Sequence, residues 1–186
     1  MLIDITLTVT PEMARDAQQK QDPSLAGHLG THFDGMDKEF PLTYTKREGI
    51  VFDVSAVQGR DIALSDIDAA RVKAGMFVAF YTGFIEEVGY GNEGYFSTHP
   101  QLSAELIDTL LQKGVSIIGL DFAGVRRGRE HTPTDQRCAE RGTFIIENLC
   151  NLKALLTGEG TFVAHTYPMK LAGVTGLPCR VIAEQP

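Results

Sequence analysis

The segment His28-Leu29-Gly30-Thr31-His32-Phe33-Asp34 constrains the chain more than any other. Its two imidazoles and its carboxylate all stand at even positions, so in an extended backbone they share one face. At about 3.3 Å per residue, the α-carbons of His28 and His32 would stand roughly 13 Å apart. Imidazole–metal bonds of about 2 Å barely close such a span. Gly30 lies midway and is the residue type that bends a strand most readily. The spacing therefore predicts a strand that is kinked at Gly30 and delivers nitrogen and oxygen donors to one point. Donors of that kind suit Zn²⁺, Mn²⁺ or a related divalent ion.

The length, 186 residues, fits one domain able to bury a core without disulfide staples. A formal charge of -7 opposes nucleic-acid binding, which needs a basic surface. The short basic run Arg126-Arg127-Gly128-Arg129 is a candidate for steering an anionic substrate. Cys138, Cys150 and Cys179 form no Cys-x-x-Cys pair, and reduced thiols in a cytoplasmic protein are expected, with Cys138 a buried apolar residue rather than a nucleophile. The amino terminus has no basic start followed by an apolar core, which predicts no signal peptide, and no apolar run reaches membrane-spanning length.

Alternation predicts a strand over 2–9, and 11–23 reads as an exposed loop or short helix. Further strands are expected over 50–54, 76–82, 115–120, 143–146 and 179–183, with a turn over 173–178. Residues 65–74 carry helix-start residues, 97–100 reads as a turn, and a helix is expected from Ser103 to a stop at Gly114. Thr134 is expected to cap a short helix running to Gly142. Helices alternate with strands, so the class is α/β. Neither a linker nor a repeat breaks the chain, so 1–186 is read as one domain. Asp121 and Glu147 end aliphatic runs, the place where α/β sheets gather functional groups.

On these residues the chain resembles the cyclase-like metal-dependent hydrolases, which include bacterial kynurenine formamidase and isatin hydrolase. The family signature is His-x-Gly-Thr-His-x-Asp, intact here as His28 to Asp34, and a second segment, Gly142 to Glu147-Asn148-Leu149, also matches. Asp4, Thr82-Gly83, His99-Pro100, 114–121 and 176–180 extend the similarity across nearly the whole chain. The resemblance implies a single cyclase-like domain of the swivelling β/β/α type, with a twisted, barrel-like mixed sheet flanked by helices. It implies one or two divalent ions, Zn or Mn, held by His28, His32 and Asp34, with Glu147 completing or bridging a second position. It also implies a homodimer or homotetramer.

The departures are specific. Lys38 stands where relatives carry a histidine resembling a general acid/base, and it is a candidate for that role, for binding a substrate carboxylate or for a plain surface lysine. Asp135 stands where the family places a histidine twelve positions before the Glu, and His131 is the rival for that ligand role. Gly124 lies near a position where many relatives carry serine. The expected activity is metal-assisted hydrolysis of an amide, formamide or small cyclic amide. An arylformamidase acting on N-formylkynurenine in tryptophan catabolism is the model, with Glu147, Lys38 or His131 moving the proton. The alternative is a non-catalytic metabolite-binding relative that keeps the fold and the metal site. A Ser nucleophile elbow and a phosphate-binding loop are both missing from the sequence.

Overall fold

A computed structural model describes residues 1–19 and 27–185. Aliphatic and aromatic runs with almost no polar interruption form its central strands β4 (Phe77–Tyr81), β5 (Ile117–Leu120) and β6 (Phe144–Glu147) and the stretch 50–52 of β3 (Lys46–Asp53), whose first three residues are charged. Such runs suit strands buried on both faces. These four pair in parallel, β3 with β4, β4 with β5, and β5 with β6. β2 (His32–Asp34) pairs antiparallel with β6 and with β8 (Gly176–Glu184). β8 pairs with β7 (Thr161–Pro168), and β7 with β3. The order β8-β2-β6-β5-β4-β3-β7, joined again by β7 to β8, closes the mixed sheet into a seven-stranded barrel. β1 (Leu2–Asp4) is added outside it on β8.

Side-chain alternation sorts the core into two layers. Phe33, Phe77, Ala79, Phe144, Ile146, Phe162 and Val181 fill one. Val78, Phe80, Ile118 and Ile145 face the other way and pack under α4 (Ala104–Gln112) through Leu106 and Leu110 and under α5 (His131–Glu140) through Cys138. Ser103 caps α4 by accepting from the Leu106 N–H, and Gly114 follows it at φ +69°. Short helices α1 (Pro11–Gln19), α2 (Phe84–Val88) and α3 (Glu93–Thr98) lie between these parts.

The barrel-like α/β architecture is as the resemblance implied, and several local expectations change. The first strand stops at Asp4, although Thr6 forms a bridge with Leu149. Residues 11–19 are helical, while 20–23 of that stretch lie outside the described residues. The helix expected over 65–74 is instead a pair of 3₁₀ turns, Leu64–Asp66 and Ala69–Arg71. There the Asp66 carboxylate accepts from the Ala63 N–H and from both Arg60 guanidinium nitrogens, and Asp68 accepts from the Ala70 N–H, so side chains hold the backbone in turns. α5 starts at His131, not at Thr134, and α3 absorbs part of the expected 97–100 turn. β7 was not anticipated. No described helix is long and apolar enough to cross a membrane.

Candidate metal centre

Phe33 points into the core layer beneath β2, so its neighbours His32 and Asp34 point the opposite way. The register sets His32 directly across from Glu147 on β6. The positive φ of Gly30, +69°, turns the chain before β2, and a Cβ there would lie 2.7 Å from a Val9 methyl. That kink brings His28 Nδ1 to 3.1 Å from His32 Nε2 and 3.3 Å from Asp34 Oδ1. His32 Nε2 is 3.4 Å from the same Asp34 oxygen and 3.5 Å from Glu147 Oε2.

α5 crosses above Glu147 and supplies a second set of donors. His131 and Asp135 are four residues apart on one helical face, with Nε2 3.1 Å from Oδ2. His131 Nε2 is also 3.5 Å from Glu147 Oε1. Two triads result, His28/His32/Asp34 and His131/Asp135/Glu147, each with its donor atoms within 4.8 Å of one another. Glu147 touches both, one carboxylate oxygen to each. Both Asp135 and His131 therefore reach the site. Gly124, at φ +99°, leaves the space His131 occupies: a Cβ there would lie 2.6 Å from the imidazole.

The remaining motif residues hold these donors in place. His32 Nδ1 lies 2.9 Å from the Gly30 carbonyl, which assigns the ring proton to Nδ1 and leaves Nε2 a bare donor toward the cluster. Asn148 Nδ2 donates to that same carbonyl at 2.9 Å, and the Asn148 carbonyl accepts from Thr31 Oγ1 at 2.7 Å. Tyr95 locks Asn148 by donating to its Oδ1. Thr31 Oγ1 also accepts from the Leu7 N–H. His28 Nε2 rests 2.9 Å from Thr175 Oγ1, and Gly176 leaves its ring the room it needs.

The electrostatics call for a cation. Asp34, Asp135 and Glu147 are all buried, and Asp34 Oδ2, Asp135 Oδ1 and Glu147 Oε1 have no hydrogen-bond partner. Burial and the Asp34 charge push Asp135 up to about 9. Burial, Asp34 and Asp135 push Glu147 well above the ordinary carboxylate range. Burial opposes ionisation of Asp34, but His32 and His28 outweigh it and hold that carboxyl far below its usual value. Burial lowers His32 and His131, and Asp34 reverses the direction for His32 alone. Buried carboxylate oxygens without hydrogen-bond partners, close to imidazole nitrogens, make a donor set that could hold a divalent ion.

Lys38 is the exception among the expected site residues. It ends a turn closed by its own N–H on the Gly35 carbonyl, and its exposed ammonium lies 2.9 Å from Asp37. It does not line the cleft beside the clusters. That cleft, about 650 Å³, is walled by Leu29, Tyr90, Phe96, His99, Ala123 and Asn148 together with His28, His32, His131 and Glu147 of the two triads. Within the basic run, Arg126 is held by Asp61 and Glu130, and Arg127 donates to the Ser97 carbonyl.

A family model described as "Putative cyclase" matches residues 3–126. The chain belongs to this cyclase family. Solved structures agree on the fold. A "potential metal-dependent hydrolase with cyclase activity" has a TM-score of 0.78 at 24% identity, covering 100% of this chain and 99% of its own. A "predicted metal-dependent hydrolase" from Bacillus stearothermophilus has a TM-score of 0.76 at 24% identity, covering 98% and 97%. Isatin hydrolase A from Ralstonia solanacearum has a TM-score of 0.77 at 19% identity, covering 98% and 91%. No curated protein matches the chain. Within this cyclase-family chain, sequence reasoning missed Tyr90 and the cleft role of His99. Tyr90 carries no motif signal, and His99 showed as part of a turn and of the His99-Pro100 similarity, with no role attached to it.

Proposed function

We propose that this cyclase-family chain is a metal-dependent hydrolase that cleaves the carbon–nitrogen bond of an aryl formamide or small cyclic amide. One observation carries the reading: two donor triads meet where Glu147 of the second approaches His32 of the first, beside a cleft, with a partnerless carboxylate oxygen in each. When bound, a divalent cation such as Zn²⁺ or Mn²⁺ polarises the substrate carbonyl and lowers the pKa of water from about 15.7 toward about 7. His28, His32 and Asp34 would hold one ion, and His131, Asp135 and Glu147 a second.

The chain's own groups orient the substrate. The Gly30 N–H donates to the Tyr90 hydroxyl oxygen at 2.9 Å, which leaves the phenolic O–H to donate to a substrate oxygen. Burial raises the Tyr90 phenol above its ordinary pKa, so this proton stays in place at neutral pH. The rings of Tyr90 and Phe96, 5.8 Å apart, give the cleft an aromatic wall suited to an aryl amide. The solved isatin hydrolases support a cyclic amide fused to a ring, and the motif resemblance supports N-formylated arylamines such as N-formylkynurenine.

The test pairs elemental analysis with turnover. Purified protein is stripped, reloaded with Mn²⁺ or Zn²⁺, and assayed on N-formylanilines, N-formylkynurenine and isatin. Metal-dependent hydrolysis is expected. Bound metal with no turnover on any of these would replace this reading by a metabolite-binding relative that keeps the site.

A further inference from the structure

Hydrolysis of an amide needs a group that moves a proton from the attacking water to the departing nitrogen. Of the three residues expected to do so, Glu147, Lys38 and His131, Lys38 is paired with Asp37 at the surface. Of the titratable side chains lining the cleft, His28, His32, His131 and Glu147 belong to the donor triads. Glu12 is exposed, and Tyr90 stays protonated. His99 remains.

His99 follows the last residue of α3 and is 2% exposed, yet it lines the cleft. Its ring stacks on Phe122, centroids 5.8 Å apart and planes 20° apart, so its orientation is fixed. Nδ1 lies 2.7 Å from the Pro100 carbonyl, an acceptor, which places the ring proton on Nδ1. Nε2 has no hydrogen-bond partner among the described residues. A neutral imidazole, oriented through Nδ1 and bare at Nε2, is the arrangement that serves acid–base chemistry in other hydrolases.

Resting on the hydrolase reading above, we propose that His99 is the proton relay of this chain. As the water oxygen bonds to the carbonyl carbon, one water proton passes to Nε2. The carbon–nitrogen bond then breaks, its electron pair stays on nitrogen, and the Nε2 proton moves to that nitrogen. The products are the acid and the free amine, and His99 returns to its neutral form. The Nδ1–H stays on the Pro100 carbonyl throughout. Burial also lowers the His99 pKa to about 4, with a small contribution from nearby Arg127 and His131. The ring is thus neutral before attack and, once protonated, more acidic than an ordinary imidazolium, which favours delivery to a basic leaving nitrogen.

The experiment compares wild type with His99→Asn, whose side-chain N–H can still reach the Pro100 carbonyl while Nε2 is gone. His99→Gln is made alongside as a guard against a folding defect in the first variant. Metal content and melting temperature are measured first, and both should match wild type. Turnover is then followed over ring-substituted N-formylanilines and phenyl formate, which span leaving groups from strongly basic to weakly basic. A loss of about 10²–10⁴-fold is expected for formanilide, shrinking to less than about tenfold for the nitro-substituted anilide and the ester, whose departure needs little protonation. An equal loss for every leaving group, or no loss for formanilide, overturns the relay while leaving the hydrolase reading intact. A wild-type enzyme that turns over no amide and no ester overturns both.

Discussion

Asp135→Asn should change stability with opposite signs in the stripped and the metal-loaded protein. Without a cation, burial and the Asp34 charge raise Asp135 from 3.8 to about 9. Its folded-state value lies above the unfolded one, so its contribution to stability is complete below pH 3.8 and is lost as pH rises toward 9. At about 1.4 kcal/mol per pH unit, this group alone makes the stripped protein about 4 kcal/mol less stable at about pH 7 than at about pH 4. Asparagine keeps the shape and does not titrate. Its amide introduces polar atoms with imperfect partners in a buried site, at about 1–3 kcal/mol. The stripped variant should therefore be about 1–3 kcal/mol more stable than stripped wild type at about pH 7, and less stable by a similar amount at about pH 4. Loaded protein should respond the other way, because a charged ligand is missing. A hundredfold weaker affinity removes about 2.7 kcal/mol of metal-dependent stabilisation. Urea unfolding followed by circular dichroism, with chelator and with excess Mn²⁺, reads all of these quantities. A stripped variant that is less stable than wild type by the same margin at both pH values would refute the argument that uncompensated charge dominates this site.

Other substitutions probe the same geometry from different sides. Gly124→Ala puts a methyl group 2.6 Å from the His131 ring at a backbone φ of +99°, so the second triad should open. Metal titration should then show one tight site where two are expected for wild type. Tyr90→Phe removes the free O–H, and kcat on formanilide should fall by about 10–10³-fold with metal content unchanged. A KM change with kcat untouched would reassign Tyr90 to simple packing. Lys38→Ala should leave kcat/KM within about twofold, because a surface ammonium paired with its sequence neighbour has little to lose. Cys138 is fully buried and its thiol is pushed up to about 12, so native protein should leave it unlabelled by a thiol reagent that reacts readily after unfolding.

The residues that were legible in the sequence are those whose chemistry and spacing are local. His28, His32 and Asp34 could be placed together because strand alternation and one glycine decide their directions within seven positions. Glu147 could be placed because it ends an aliphatic strand. The His131–Asp135 pair was visible only as a choice between two residues. Thr134 is a good helix cap, and placing the helix start there puts His131 outside it. In the structure α5 begins at His131, with Pro133 in its first turn, and the four-residue spacing turns rivals into partners. The same limit explains the helix expected over 65–74: its acidic residues do cap backbone N–H groups, but Arg60, outside the segment, clamps Asp66 and holds a turn. β7 escaped notice because its buried face, Phe162, Ala164 and Thr166, is not fully apolar, and only pairing with both β3 and β8 makes it a strand that closes the barrel.

Lys38 marks where family position and physical position separate. Its place in the motif predicts a side chain in the cleft, yet the turn that closes on Gly35 carries it to Asp37. Motif alignment fixes where a residue stands along the chain, and the local turn decides which way it points. The inward-facing titratable group comes instead from a segment between β4 and α4 that supplies Tyr90, Phe96 and His99 to a single wall. That segment is remote in sequence from every ligand, and no periodicity links it to them. Its placement follows from Tyr90 accepting the Gly30 N–H and from Tyr95 holding Asn148, two hydrogen bonds that tie the wall to both halves of the metal centre. The same two bonds make the wall and the donor triads one mechanical unit. A substitution that loosens Tyr95 should therefore weaken metal retention and substrate selectivity together. Tyr95→Phe is the sharpest version: it deletes only the hydroxyl that donates to Asn148 Oδ1 at 2.7 Å and keeps the ring packed against Tyr90 and Phe84. Loss of a buried bond of this kind costs about 1–3 kcal/mol, and the variant should release Mn²⁺ faster than wild type while its cleft binds product analogues less tightly. Unchanged metal release with weakened product binding would separate the two functions and show that Asn148 holds the Gly30 loop without help from Tyr95.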